Sequence, residues 1–149
     1  MRLGRVAVIG AGSWGTALVK LLSSNAERTG WWVRGDKNIA HITKYGHNPN
    51  YISAAQFDVE RLAMSDDLRV IVKEADTLIV AVPSAFLKNT MEKLDRSELA
   101  GKTMFSAVKG IVPETNQIVG EYLFEHWGVP KENFGVICGP CHAEEVAME

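Results

Sequence analysis

Little in this chain is extreme, and each missing feature closes a class. Two cysteines stand among 149 residues. That is too few for a disulfide framework, and with no export signal ahead of the first apolar run they point to a reducing cytoplasm. No apolar stretch approaches the roughly 18 residues of a membrane span, so none is expected. Neither sign of charge dominates: 16 Lys+Arg against 18 Asp+Glu leave a formal charge of −2. There is no basic stripe to suit a nucleic acid and no block of like charge. Repeats, low-complexity tracts and linkers are absent, so the length reads as one domain with room for a real core. His41, His47 and His126 are scattered and form no ligand pattern.

What is present is concentrated near the start. Val6-Ala7-Val8-Ile9 is the continuous small apolar run of a buried parallel strand. It leads directly into Gly10-Ala11-Gly12-Ser13-Trp14-Gly15, and the helix-forming run Thr16 to Leu22 follows. In a strand–GxGxxG–helix unit the three glycines have separate tasks. Gly10 serves the tight turn, Gly12 the close approach of a pyrophosphate, and Gly15 the packing of helix on strand. The free N–H groups and dipole of that helix start make an anion site. This opening predicts a dinucleotide site.

The rest of the chain alternates in the same manner. Trp31 to Arg34 reads as the second strand, followed by a helix from Asp36 to Lys44 and the turn-rich loop Gly46 to Tyr51. An acidic residue about 20 positions past the glycines binds the ribose 2′-OH of NAD, or an Arg there accommodates the 2′-phosphate of NADP. Here Arg34 stands close to that place and Asp36 just beyond it, so the expected cofactor is NADP or NAD, with a lean to NADP. Tyr51 suits either a place over the cofactor or a packing role.

Arg61 to Met64 is a short strand, with Ser65 as a helix cap and Leu68, Ile71 and Val72 as the buried face of that helix. Thr77 to Val82 is the clearest central strand, and Ser84 can cap a helix from Ala85 to Leu94. Lys102 to Ser106 is another strand. It puts Lys109 at the carboxyl edge, where ligands of such sheets sit, with donors for a carbonyl or phosphate oxygen. Pro113-Glu114 opens a helix to about Trp127, and Phe134 to Cys138 is the last strand. The order predicts an α/β, Rossmann-type doubly wound, mostly parallel sheet with helices on both faces. Residues 142–149 read as a helix begun and not stopped, so residues 1–149 are expected to be the cofactor-binding first part of a longer protein.

Cys138-Gly139-Pro140-Cys141 spells a redox CxxC, and with His142 a haem-attachment CxxCH. No thioredoxin fold surrounds the first, and no export signal supports the second. The same residues make an incomplete zinc set, because Cys138 is expected to point into the sheet. No metal site is expected.

Taken together the motifs resemble the NAD(P)-dependent glycerol-3-phosphate dehydrogenases of bacterial type. The matching runs are Gly10 to Leu18, Trp32-Val33-Arg34, Asn48 to Tyr51, Ala81 to Ser84, Ser106 to Ile111, and Gly139 to Ala147. The resemblance implies reversible hydride transfer between NAD(P)H and dihydroxyacetone phosphate, giving sn-glycerol 3-phosphate for phospholipid synthesis. It implies that Ser13, Trp14 and Arg34 bind the dinucleotide, with Gly10, Gly12, Gly15 and Tyr51. Lys109 would contact cofactor and substrate, Gly139 and Cys141 would border the substrate, and Ala143 the nicotinamide side. The general acid/base lysine and the substrate-phosphate ligands of the family lie in a second, helical domain. They are outside this chain, which is therefore expected to be inactive alone; a homodimer of the whole protein is possible. Two departures stand out. The family usually has Ser or Thr where Cys141 stands, and a thiol is the weaker hydrogen-bond partner. Its loop usually continues Tyr-Leu-Pro-Gly, where Tyr51 here leads to Ile52-Ser53-Ala54. Two other readings remain: the cofactor domain of another β-hydroxyacid-type dehydrogenase, and an NAD(P)-sensing module without chemistry.

Overall fold

The computed structural model describes residues 3–138 and 142–148. Its elements run β1 (Val6–Ile9), α1 (Ser13–Asn25), β2 (Thr29–Trp32), α2 (Asp36–Tyr45), β3 (Leu62–Ser65), α3 (Leu68–Glu74), β4 (Thr77–Val80), α4 (Ser84–Met91), β5 (Thr103–Ser106), β6 (Ile111–Val112), β7 (Gln117–Ile118), α5 (Val119–Trp127), β8 (Phe134–Val136) and α6 (Ala143–Met148). Six strands form one sheet in the order β3-β2-β1-β4-β5-β8, and every pair in it is parallel. The chain steps outward from β1 to β3, then returns to the other side of β1 with β4. The order therefore reverses between β1 and β4, and a crevice opens at their carboxyl ends.

The two faces follow from side-chain alternation along each strand. Ala7, Ile9, Trp32, Leu78, Val80 and Met104 point to one side, where Leu68 and Val72 of α3, Leu87 and Met91 of α4, and Leu123 of α5 cover them. Val8, Trp31, Val33, Ile79 and Ala81 point to the other, against Leu18 and Val19 of α1 and Ile42 of α2. The central strands β1 and β4 are apolar on both faces because both are covered. A third, small cluster joins Ala17, Ala55, Ala143 and Ala147, which lets α6 lie close against α1.

Several expected boundaries move. The stretch from Pro113 is not helical: β6 and β7 form an antiparallel ribbon, and only α5 continues to Trp127. Thr115 N–H and Asn116 N–H both donate to the Val112 carbonyl, and Asn116 takes φ 55°, a left-handed turn that Asn tolerates better than most residues. Ile111 pairs with Ile118 and Val112 with Gln117 across that turn, and Val112 is buried against the core. Ser65 lies inside β3 rather than at the cap of α3. The cap is Asp67, whose carboxylate accepts from Arg69 N–H at 2.9 Å, while Ser65 Oγ accepts from Asp67 N–H. Ser84 is the first helical residue of α4, after Pro83, and caps nothing. The last strand stops at Val136 and Cys138 is exposed, so its thiol does not point into the sheet.

At the opposite, amino end of the sheet, Asp76 ties the segment before β4 to the segment before β1. Its carboxylate accepts from Arg5 N–H at 2.8 Å, and the Arg5 guanidinium lies 3.6 Å away. The hydrogen bond from the Arg5 backbone N–H is the main cause that holds this carboxyl below the ordinary carboxylate range; burial opposes it, and the charges of Arg5 and Lys102 add smaller contributions in the lowering direction. A carboxyl that ionises more readily folded than unfolded contributes stability above its unfolded pKa, and that contribution disappears as pH falls through the folded one. Asp76→Asn is expected to melt below the native chain at pH 7. The gap should close as pH drops below about 4, as followed by thermal denaturation across a pH series.

Candidate cofactor site

The turn after β1 is built against the turn after β4. Gly10 has φ 124°, and a Cβ there would stand 2.6 Å from the Ala81 carbonyl oxygen. Any side chain would have to push β1 and β4 apart at the crevice. Gly15 is in the same position one turn later, since its Cβ would strike the Gly10 carbonyl. That carbonyl also accepts from Trp31 Nε1 at 2.9 Å, inside the core. Gly10 and Gly15 are thus required by the packing of the chain itself.

Gly12 is different. Its φ of −76° and ψ of −173° are open to any residue, and a Cβ would meet nothing within 4 Å. Neither conformation nor packing calls for glycine here. The space it leaves opens into the crevice, in front of the first turn of α1. That helix has no side-chain cap and no acid in its first turn, so its leading N–H groups and positive dipole end face the same space without compensation. This is an arrangement for an anion that comes from outside the chain.

The crevice itself is a cleft of about 620 Å³, within the ~300–1,000 Å³ of small-molecule sites. Gly10, Gly12, Arg34 and Tyr51 all line it, so the structure brings together the turn and the residues after β2. Tyr51 is 45% exposed at its mouth. Other expected residues lie outside this lining. Ser13 is half-buried at the start of α1, with its hydroxyl unbonded among the described residues. Trp14 packs beside the alanine cluster, and Ala143 belongs to that cluster. Lys109 is exposed on the loop after β5; its neighbour Gly110 lies beside Ser84 Oγ, 3.7 Å from where a Cβ would be. Gly139 and Cys141 lie outside the described residues. Asp36 is exposed at the start of α2 and does not line the cleft.

Residues without a sequence expectation complete the wall. Asn48 is 3% exposed, and its amide donates to the Ala11 carbonyl at 3.1 Å and to Thr16 Oγ1 at 2.9 Å. Its Oδ1 accepts from Asn50 N–H. Asn50 donates to Asn38 Oδ1, and Asn38 donates to the Arg34 carbonyl at 2.8 Å. Three asparagines therefore stitch the loop after α2 to the glycine turn at one end of the cleft and to Arg34 at the other. The Asn-Pro pair marked this loop as a turn, but a local signal carries no information on a partner more than thirty residues away. Phe86, on α4, closes the far side below the Arg34 guanidinium. Beyond Tyr51 the chain turns sharply at Ile52, whose φ of 49° is unusual for a β-branched residue. Here the sequence also leaves the Tyr-Leu-Pro-Gly pattern.

A family profile described as NAD-dependent glycerol-3-phosphate dehydrogenase N-terminus matches residues 5–149. Glycerol-3-phosphate dehydrogenase (NAD(P)+) of Ectopseudomonas mendocina is 33% identical over 142 residues, covering 95% of this chain and 41% of that protein. The protein of the same name from Staphylococcus carnosus is 32% identical, over 99% of this chain and 44% of its own length. The fold is that of Plasmodium falciparum glycerol-3-phosphate dehydrogenase, with TM-score 0.85 at 22% identity, over 97% of this chain and 43% of that one. The chain thus spans less than half the length of these relatives.

The asparagine stitch has a measurable cost. Asn48→Ala leaves the half-buried Ala11 carbonyl and the buried Thr16 hydroxyl short of a partner. A loss of about 1–3 kcal/mol is expected, read as a lower urea midpoint with little change in slope.

Proposed function

Because this chain belongs to the family of NAD-dependent glycerol-3-phosphate dehydrogenase N-terminal domains, we propose that it holds the dinucleotide for hydride transfer between NAD(P)H and dihydroxyacetone phosphate. The product is sn-glycerol 3-phosphate, a precursor of phospholipids. The observation that carries the binding role is Gly12, a glycine that its own chain does not need, facing an uncapped helix start. The bound nicotinamide supplies or accepts the hydride.

The residues of this chain bind and orient. Gly10, Gly12 and Gly15, with Ser13 at the first helical position, hold the pyrophosphate on backbone N–H groups. Arg34 takes the adenosine ribose and its 2′-phosphate, and Tyr51 covers the mouth. Lys109 reaches cofactor and substrate from the carboxyl edge of β5, and its charge meets negative charge developing on the carbonyl oxygen. Trp14 and Ala143 back the nicotinamide side, and Gly139 and Cys141 border the substrate. The acid/base lysine and the ligands of the substrate phosphate come from a helical domain that follows in the whole protein. That whole protein acts in the cytoplasm. For the chain itself, no helix among the described residues is long and apolar enough to cross a membrane.

Titration of the 149-residue chain with NADPH and NADH, followed by tryptophan fluorescence, tests the binding role. Saturable quenching is expected in the native chain. Gly12→Val should reduce affinity at least tenfold, because the valine occupies the pyrophosphate space, while the melting temperature falls by no more than the few degrees that valine costs at a helix N-cap. A Gly12→Val chain that bound as tightly as the native one would remove the basis of this reading. In the whole enzyme, Lys109→Ala should lower kcat/KM by about 10²–10³, as measured with dihydroxyacetone phosphate and NADPH.

A further inference from the structure

We propose that Phe86 is a positioning residue that sets the discrimination between NADPH and NADH, by seating the guanidinium of Arg34. The proposal rests on the cofactor reading above and adds a residue on a different element. Among the described residues, Arg34 is the only charged one that lines the cleft. The acidic residue nearest to it in sequence, Asp36, is exposed outside the lining, so the wall offers no carboxylate to a ribose diol. Charge in the cleft thus favours the cofactor with the extra phosphate, provided the arginine is held where that phosphate arrives.

Two separate contacts hold it. The backbone is fixed by Asn38, which donates to the Arg34 carbonyl. The far end is fixed by Phe86: the guanidinium carbon lies 5.8 Å from the centre of the ring. A guanidinium that rests on an aromatic ring spends its face on the contact and keeps its N–H edge free. Among the described residues no acceptor takes a side-chain N–H of Arg34, whereas Arg5, Arg61 and Arg69 are engaged by carboxylates. An arginine left with an unused donor edge, over a ring at the mouth of an anion-suited cleft, is set to read a phosphate.

Phe86 is itself well placed and otherwise unexplained. It is 49% exposed, although its α4 neighbours Leu87 and Met91 are fully buried. Its backbone is fixed by the Phe86 N–H bond to the Pro83 carbonyl at 2.9 Å and by Thr90 Oγ1, which donates to its carbonyl. The ring therefore stands at a defined point across the cleft from β2. Half-exposed as it is, the ring adds little to the core.

Calorimetric titration of the 149-residue chain with NADPH and NADH separates this role from simple packing. Phe86→Leu keeps apolar bulk and removes the ring face; Phe86→Trp keeps the face. Phe86→Leu is expected to weaken NADPH more than NADH, lowering the preference for NADPH about threefold, the scale of an exposed cation–π contact. Phe86→Trp should retain the preference. In an Arg34→Ala background, Phe86→Leu should no longer alter it. Equal weakening of both cofactors by Phe86→Leu would make Phe86 a packing residue and overturn the proposal. So would an unchanged ratio, an effect that persists without Arg34, or a native chain that binds both cofactors equally, each leaving the cofactor reading intact. A native chain that bound neither dinucleotide would defeat both.

Discussion

The closeness of two turns governs this structure. The turn after β1 passes so near the end of β4 that a single Cβ at Gly10 would collide with the Ala81 carbonyl. Much else follows from that approach. It aligns the carboxyl ends of the two central strands, where the strand order reverses. It sets the start of α1 over the crevice, and Gly15 keeps the helix there. The Trp31 indole donates to the Gly10 carbonyl of that turn. The cost of an orphaned buried carbonyl is about 1–3 kcal/mol, so the indole at this point does more than fill space.

The three glycines of the turn show how structural and functional demands can be told apart. Gly10 and Gly15 are explained by their neighbours. Gly12 has an ordinary backbone conformation and an empty surrounding, so its lack of a side chain benefits only something that enters the cleft. The uncapped first turn of α1 points the same way, because a cap would have stabilised the helix by about 1 kcal/mol. The chain leaves both opportunities unused on the same side of the same turn. Across the cleft the asparagine stitch carries this geometry outward, joining the glycine turn to the end of β2 through side chains rather than the sheet.

This part presents backbone donors, one arginine and one lysine along a single sheet edge. Such groups hold phosphates and stabilise developing negative charge. The chain spans less than half the length of its relatives.

The order of elements, the parallel sheet and the dinucleotide opening were legible from sequence, because each depends on local signals. A β-branched run, a glycine spacing and a 3.6-residue period all act within a few residues. The ends of β2 and β4 were less legible, since Val33 and Ala81 keep sheet hydrogen bonds beyond the regular strand. The ribbon of β6 and β7 was read as helix because Pro113-Glu114 is a good helix start; pairing across the Asn116 turn and burial of Val112 outweighed that propensity. The face of Cys138 was also misjudged, since the final strand ends before it. What only tertiary structure decided were the contacts between distant segments: Asn48 on Ala11 and Thr16, Trp31 on Gly10, and Phe86 beneath Arg34. Such contacts leave no periodic trace in the chain, because their energy comes from pairing groups that the fold, and not the sequence spacing, makes neighbours.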